Sequence, residues 1–296
     1  MKSLSKTILF FGTEDFSLTA LQALVEADYH IGAVITKPDS RSGRGQKIIA
    51  PAVKTYAQKH NIPVWQPAKL DEISNDIKAF DRPIGVLVSY GKIIPSSIIS
   101  LFTPGIINVH PSLLPIYRGP TPIESAIKNR DDETGVSIMQ LVARMDAGPV
   151  YHQKRLSLNG NETQSELYQK LGNIGAMELL SVLPDIINGK LTPKSQDEEQ
   201  ASYCPLLTKR DAFFDPSSMT ANQLEAKFRA HLKFPGTKFD FGRHTIIVKK
   251  AHVADEPKTP LDKRCQDDKW FIVDEILAPS GKTTDAESFI RGYTAS

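Results

Sequence analysis

An amide and an imidazole lie two residues apart at the end of an apolar run, in the stretch "INVHPSLLPIYRG". Asn108 and His110 occupy positions i and i+2 of a predicted strand, so both side chains leave the same face. Further along, "GVSIMQLVARMDAG" is typical of a strand and loop that bring Asp146 into an Asp-Ala-Gly turn. We expect the three side chains to converge where parallel strands end, because open α/β sheets bind ligands at that edge.

These three residue types suit acyl transfer to an amine without a covalent enzyme intermediate. The attack of an amine on a carbonyl creates an oxyanion and a positively charged nitrogen. Asn108 and protonated His110 would stabilise the oxyanion, while Asp146 would hold His110 cationic and help to remove the proton from the nitrogen. The spacing alone leaves a structural interpretation open, in which Asn108 and Asp146 form turns and His110 is part of the framework.

Other chemistries have weaker support in the sequence. The first turn, "FGTEDF", has one glycine where a dinucleotide fold has G-x-G-x-x-G, and the chain lacks the G-x-x-x-x-G-K-[ST] phosphate loop. No G-x-S-x-G elbow is present, and Ser112 follows a proline, which argues against a serine hydrolase. Cys204 and Cys265 are the only cysteines and belong to no ligand cluster, so we predict neither a disulfide nor a metal site.

Alternating strands and helices are predicted to position these residues. Short β-branched runs such as "TILFF", "IGAVIT" and "IGVLVS" are each followed by a helix-like segment, and a long helix is predicted within residues 163–187. This order predicts an α/β fold with a doubly wound, mostly parallel sheet. The apolar run at residues 8–11 is too short for a signal segment or a membrane span, so we expect a cytoplasmic protein with no membrane partner. We also expect a monomer.

The chain of 296 residues is long enough for two domains. We predict the sheet domain at residues 1–190, a polar linker with two prolines at residues 191–208, and a smaller β-rich domain at residues 209–296. The last domain opens with a capping box formed by Thr220 and Gln223, and its strands include a hairpin around Gly242. The stretch between "KKAHV" and "KWFIVDEIL" is short and partly acidic, which suggests a shortened domain.

Two basic regions predict contact with a polyanion. The loop "TKPDSRSGRGQK" holds four basic residues against one acid, Asp39: Lys37, Arg41, Arg44 and Lys47. Residues 209–254 contain nine basic and four acidic residues, and we assign Lys249 and Lys250 from this region to RNA contact. The alternative is that both regions are ordinary solvated surface.

The motifs together resemble those of the folate-dependent formyltransferases. Their signature is Asn-x-His, then S-L-L-P and a distal Asp-x-Gly, matched here by "NVHPSLLPIYRG" and "TGVSIMQLVARMDAGPV", with "GTEDFS" and "PTPIESAI" in support. The resemblance implies a Rossmann-like catalytic domain, an OB-like C-terminal domain, 10-formyltetrahydrofolate as formyl donor and no metal. It also implies that Asn108, His110 and Asp146 are catalytic. Folate contacts are implied for two segments: Ser112, Leu113, Leu114 and Pro115, and Ser89, Tyr90 and Gly91.

Within that family, "VKTYAQKHNIPVWQP", "SYGKIIP" and "APSGKTTDAESFIRGY" are similar to the members that act on initiator tRNA. This implies formyl transfer to the α-amino group of methionyl initiator tRNA for translation initiation, with Arg44 at the recognised arginine of a loop beside the acceptor stem. The His-Pro-Ser at Pro111 is instead familiar from members that act on glycinamide ribonucleotide. A small amine acceptor, either that nucleotide or an amino sugar nucleotide, therefore stays open. A catalytically silent RNA-binding protein is a third hypothesis.

Overall fold

A computed structural model describes residues 6–42 and 47–293 of the chain, which forms two compact units. The sheet unit contains the chain up to Pro120, with Thr134–Leu156 and Tyr168–Cys204. The C-terminal unit contains Thr121–Glu133, Ser157–Leu167 and the chain from Pro205 onward. Each unit has its own sheet and its own buried apolar cluster.

The regular elements alternate along the first two thirds of the chain and become β-rich in the last third. The strands are β1 Ile8–Gly12, β2 Ile31–Ile35, β3 Ser40–Ser42, β4 Lys47–Ile49, β5 Val64–Trp65, β6 Ile84–Val88, β7 Ile106–His110, β8 Glu133–Gln140, β9 Val150–Ser157, β10 Thr237–Phe241, β11 His244–Ala254, β12 Lys263–Arg264, β13 Trp270–Leu277 and β14 Thr283–Asp285. The α-helices are α1 Asp15–Glu26, α2 Ala52–Lys59, α3 Ser74–Lys78, α4 Ser96–Ile99, α5 Pro122–Asn129, α6 Gln164–Ile187, α7 Ala221–Ala230 and α8 Ala286–Tyr293.

The sheet unit is built on seven strands in the order β5-β2-β1-β6-β7-β8-β9. The five strands from β5 to β7 are parallel, and β8 is antiparallel to β7. All five residues of β1, β2 and β7 are buried, as expected for strands covered on both faces. The strand order reverses between β1 and β6, and the crevice at such a switch point is where open sheets bind ligands. The predicted doubly wound, mostly parallel fold is confirmed.

The basic loop predicted at residues 36–47 contains a short hairpin. Strand β3 pairs antiparallel with β4, with Ser40 opposite Ile49 and Ser42 opposite Lys47. The two strands carry too few alternating apolar residues to be recognised from sequence. Arg44 lies outside the described residues.

The C-terminal unit is an antiparallel sheet in the order β10-β11-β13-β12, with β14 also paired to β13. The predicted hairpin is present, with Phe241 opposite His244 across Gly242. Helix α7 begins with the predicted capping box: Gln223 N donates to Thr220 Oγ1 at 3.2 Å, and Thr220 N donates to Gln223 Oε1 at 2.9 Å. Leu224 and Phe228 of this helix pack on Phe271 and its buried neighbours. The predicted β-rich second domain is therefore confirmed.

The polar segment predicted as a linker makes regular contacts with the sheet unit as far as Cys204. Lys194 exchanges two backbone hydrogen bonds of 2.8 Å with Val150, and Cys204 N donates to the Arg118 carbonyl at 2.8 Å. These contacts fix its backbone against strand β9 and the loop that follows β7. None of the helices within residues 6–42 and 47–293 combines the length and the apolar surface that crossing a bilayer needs.

Candidate active site

The three side chains singled out by their chemistry converge at the carboxyl end of β7. Asn108 and His110 lie on that strand and are about 5% exposed. Asp146 lies in the turn after β8, the antiparallel neighbour of β7. Asn108 Nδ2 is 3.5 Å from Asp146 Oδ1, and His110 Nδ1 is 3.8 Å from Asp146 Oδ2. The structure therefore brings together the amide, imidazole and carboxylate as expected from their spacing.

The hydrogen bond of His110 to the backbone fixes the orientation of its ring. His110 Nε2 is 2.9 Å from the carbonyl oxygen of Tyr117. A carbonyl oxygen can only accept, so Nε2 is the protonated nitrogen that donates. The other ring nitrogen, Nδ1, faces Asp146 and is the one at which a proton can be gained or lost.

Asp146 is held by polar contacts on both its side chain and its backbone. Its Oδ2 accepts a 2.8 Å hydrogen bond from Gly119 N. Gln196 Nε2 donates to the carbonyl oxygens of Asp146, at 2.8 Å, and Gly148, at 2.7 Å. Sequence reasoning missed Tyr117, Gly119 and Gln196: the first two act through backbone atoms, and Gln196 lies in a polar stretch with no motif.

The S-L-L-P turn is fixed by Ser137, a buried residue of β8. Ser137 Oγ donates to the Ser112 carbonyl at 2.6 Å and accepts from Leu114 N at 3.0 Å. Ser112 Oγ donates to the Ile116 carbonyl at 2.6 Å, which commits this hydroxyl to the turn. Ser112 and Leu114 are buried, whereas Leu113 and Pro115 are half-buried. The last two therefore offer the accessible apolar surface of this turn.

The segment Ser89, Tyr90 and Gly91 follows β6 at the switch point. Ser89 and Gly91 have φ angles of 44° and 69°, so the chain turns sharply here. The Tyr90 side chain points into the core against Phe11, and burial raises its pKa to about 12. The backbone carbonyl of Tyr90 accepts a 3.0 Å hydrogen bond from Thr13 Oγ1.

Lys37 lies beside this segment. Its ammonium group occupies the space that a Cβ at position 91 would fill, so a side chain there would displace the lysine as well as strain the backbone. Of the other residues in the predicted basic loop, Arg41 and Lys47 lie on β3 and β4. The structure thus places Lys37 at the predicted folate segment and the other two on the hairpin.

The one acid of the basic loop, Asp39, is paired with a residue outside it. Lys54 Nζ lies 2.8 Å and 2.9 Å from the two carboxylate oxygens of Asp39, and Gln66 Nε2 donates to the same group at 2.8 Å. Hydrogen bonds from Lys54 and then Gln66 lower the pKa of Asp39. The carboxylate is therefore satisfied by Lys54 and Gln66.

Lys249 and Lys250 are both exposed although they are adjacent in β11. Successive residues of a regular strand point to opposite faces, but the register shifts on both sides of Lys250. The irregularity lets two lysines in succession reach solvent. The described part of the chain contains no group of three or more His, Cys, Asp or Glu residues placed to hold a metal ion.

Comparison with known proteins identifies the family. A formyl transferase family model matches residues 6–183. The chain is 36% identical over 303 residues to the methionyl-tRNA formyltransferase of Sulfurihydrogenibium sp., covering 97% of this chain and 96% of the relative. It is 37% identical over 257 residues to the enzyme of that name from Pseudoalteromonas translucida, covering 86% and 80%.

Solved structures show the same fold. The N-formyltransferase from Helicobacter canadensis, in complex with folinic acid and dTDP-3-aminofucose, superimposes with a TM-score of 0.66 at 18% identity, covering 93% of this chain and 95% of the other. The sequence match extends through the Asn108 and Asp146 segments described above. The chain belongs to the formyl transferase family.

Proposed function

We propose that this protein transfers the formyl group of 10-formyltetrahydrofolate to the α-amino group of methionine carried by initiator tRNA. The observation that carries this proposal is the convergence of Asn108, His110 and Asp146 at the carboxyl end of β7. The choice of acceptor is supported by 36% identity, over 97% of the chain, to a protein named methionyl-tRNA formyltransferase.

The formyl donor is proposed to bind between the two turns that follow β6 and β7. The half-buried side chains of Leu113 and Pro115 supply apolar surface that suits a flat ring. Ser112 and Leu114 shape the turn from its buried side, and Tyr90 contributes through its backbone. Ser89 and Gly91 complete the proposed set through the turn that their φ angles allow.

Transfer begins when the methionine nitrogen attacks the formyl carbon, so that a carbon–nitrogen bond forms and the carbonyl oxygen becomes an oxyanion. An amide has two N–H donors, and Asn108 can direct one to Asp146 and the other to this oxygen. Protonated His110 supplies the second donor through Nδ1, because Nε2 donates to the Tyr117 carbonyl. Collapse of the intermediate breaks the bond between the formyl carbon and folate N10.

Asp146 and His110 handle the two proton transfers of the reaction. Asp146 accepts the proton that the attacking nitrogen loses, and the departing N10 gains one from the protonated imidazole. No formyl-enzyme adduct is expected: the Ser112 hydroxyl donates its hydrogen bond to the Ile116 carbonyl, which cannot act as the base that a serine nucleophile needs. If the protein gained the mass of one formyl group after mixing with the donor alone, direct transfer would be contradicted.

The tRNA is proposed to contact six basic residues: Lys37, Arg41, Arg44, Lys47, Lys249 and Lys250. Exposed adjacent lysines on β11 suit phosphate contacts, which supply affinity without reading sequence. Near the hairpin, the carboxylate of Asp39 is already paired with Lys54. We further propose that the protein acts as a monomer in the cytoplasm.

The decisive assay follows labelled formyl from 10-formyltetrahydrofolate to charged initiator tRNA. Parallel reactions contain uncharged initiator tRNA, elongator methionyl-tRNA, and free small amines, including glycinamide ribonucleotide and an amino sugar nucleotide. Formylation confined to the charged initiator is the expected result. Formylation of a small amine in preference to the tRNA would overturn the proposed acceptor, and absence of transfer to every acceptor would overturn the proposed chemistry.

The role of Asn108 is tested by Asn108→Ala, with Asn75→Ala as the matched control. Removal of one oxyanion donor costs about 2.7 to 4 kcal/mol, or about 10²- to 10³-fold in kcat. Asn75 is an exposed residue of α3 and should leave kcat unchanged. Equal kcat values for Asn108→Ala and Asn75→Ala, with both proteins folded, would exclude the proposed role.

A further inference from the structure

The amide of Gln196 connects the Asp146 turn to a buried arginine. Its Nε2 donates to the carbonyls of Asp146 and Gly148, while its Oε1 accepts from Arg118 Nε at 3.0 Å and Nη2 at 2.8 Å. Two donors and two acceptor sites are all that a primary amide has, so its hydrogen-bonding capacity is fully used. The orientation is also determined, because a flipped amide would set donor against donor and acceptor against acceptor.

The Asp146 turn requires support of this kind. Asp146 has a φ of 46°, in the left-handed region that a residue with a Cβ enters only at a cost. Gly148 packs directly on the carbonyl of Gln140, where a Cβ would clash. On the other side the turn is open, since the preceding residue Met145 is 54% exposed. The amide of Gln196 thus holds the turn by hydrogen bonds to two of its carbonyl oxygens, one of them that of Asp146 itself.

Arg118 provides a fixed anchor for Gln196. The Arg118 side chain is fully buried and forms an ion pair with Glu198, with Nη2 2.8 Å from Oε1 and Nη1 3.1 Å from Oε2. The hydroxyl of Tyr203 lies 3.1 Å from Nη1. The hydrogen bond to Glu198 is the main reason that the pKa of Arg118 is raised. The next residue, Gly119, is the one whose N–H holds the Asp146 carboxylate.

We propose that Gln196 is a positioning residue for the formyl transfer, which fixes the backbone of Asp146 while Gly119 fixes its carboxylate. This inference rests on the proposed function. Gln196 donates no hydrogen bond to His110 or Asn108, so it acts through Asp146. Its loss lets the turn relax and misplaces the carboxylate relative to His110 Nδ1, and misplacement by about 1 Å can cost about 10²-fold in rate.

The kinetic experiment compares Gln196→Glu and Gln196→Ala with the control Gln200→Ala. Gln196→Glu keeps an oxygen for Arg118 but loses both N–H donors to the turn. It therefore tests the two hydrogen bonds to the carbonyls of Asp146 and Gly148. Both Gln196 variants should lower kcat about 10- to 100-fold, with KM for the folate donor changed less than about 2-fold. Gln200 is exposed and its side-chain amide donates to the exposed Asp197, away from the Asp146 turn, so Gln200→Ala should match the parent protein.

A double-mutant cycle separates positioning from general damage. If Gln196 acts through Asp146, Gln196→Glu should lower kcat by less than about 3-fold when added to Asp146→Asn. The inference is overturned if Gln196→Glu has the parent kcat, or if its full effect persists in the Asp146→Asn protein.

A second measurement needs no turnover, so it remains valid even if the proposed substrates are wrong. Hydrogen exchange of the Gly119 amide, followed by NMR in the full-length protein, reports whether its bond to Asp146 Oδ2 persists. We expect protection of this amide to fall at least about 10-fold in Gln196→Glu and to stay unchanged in Gln200→Ala. Unchanged protection in Gln196→Glu would overturn the positioning role, whereas lost protection in a protein that formylates no acceptor would refute only the proposed function.

Discussion

A buried histidine in the C-terminal unit makes the stability of that unit depend on pH. His231 directly follows helix α7 and is 2% exposed. The pKa of its imidazole is lowered from the ordinary value of 6.5 to about 4, mainly by burial. The positive charges of Lys227 and Lys128 contribute to the lowering, while the negative charge of Asp211 opposes it. The perturbation that tests this is His231→Leu, which keeps an apolar side chain of similar size and removes the titration.

The size of the effect follows from the two pKa values. Between pH 6.5 and about pH 4, the unfolded chain binds a proton on His231 that the folded protein does not. The free energy of unfolding therefore falls as the pH is lowered through this window. Above pH 6.5 the neutral histidine no longer reduces the stability of the folded protein. At about 1.4 kcal/mol for each pH unit, the interval corresponds to a loss of about 3 kcal/mol.

The assay is urea unfolding from pH 7.5 to pH 4, followed by fluorescence of the C-terminal unit. The chain has two tryptophans, Trp65 and Trp270, and only Trp270 lies in that unit. We would therefore place Trp65→Phe in both the protein and its His231→Leu variant. The difference in unfolding free energy between the two should change by about 3 kcal/mol, whatever the substitution costs at pH 7.5.

The result that would refute this reasoning is a difference that stays constant across the range. Parallel pH profiles would mean that His231 has the same pKa in the folded and unfolded chain, hence that its ring is solvated or paired in solution. A difference that grows in the opposite direction, with the histidine protein gaining stability in acid, would mean that its folded pKa is raised.

Two further predictions concern the C-terminal unit. Replacing Lys249 and Lys250 together by alanine should make the plot of log affinity for tRNA against log salt concentration less steep, by about one unit of slope for each lysine. The measurement is a binding titration between about 50 and about 200 mM salt. An unchanged slope would mean that neither lysine contacts the RNA. Leu224→Ala should destabilise the unit by about 2 to 5 kcal/mol, because Leu224 is fully buried in its core. Urea unfolding followed at Trp270 measures this, and a loss below about 1 kcal/mol would mean that the core can close over the gap.

The parts of the fold predicted from sequence are those with strong local patterns. Strands β1, β2 and β6 are continuous apolar runs because they are buried on both faces, and α7 has a capping box at its first turn. The antiparallel direction of β8 has no such pattern in the sequence, because "GVSIM" would be equally suitable for a parallel strand. The β3 and β4 hairpin is short and mostly polar, so its pairing could not be separated from a loop.

The convergence of Asn108, His110 and Asp146 was predictable because strand periodicity and sheet topology place them at one edge. Their supporting contacts were not. The Tyr117 carbonyl and the Gly119 N–H are backbone groups that every sequence contains, and only the folded turn aims them at His110 and Asp146. The orientation of Tyr90 could not be predicted either, because the resemblance to a folate-binding segment does not reveal that its ring points into the core.

The ion pair between Arg118 and Glu198 has a consequence for how much of the chain a fragment carrying the sheet unit must include. The two residues are 80 positions apart, and the family match ends at residue 183. A fragment that stops at residue 190 would leave the Arg118 guanidinium without the Glu198 carboxylate and without the Gln196 oxygen, so the loop after β7 would lose both partners that hold this side chain. During synthesis, likewise, the ribosome must release residue 198 before the loop after β7 can bury its charge in paired form.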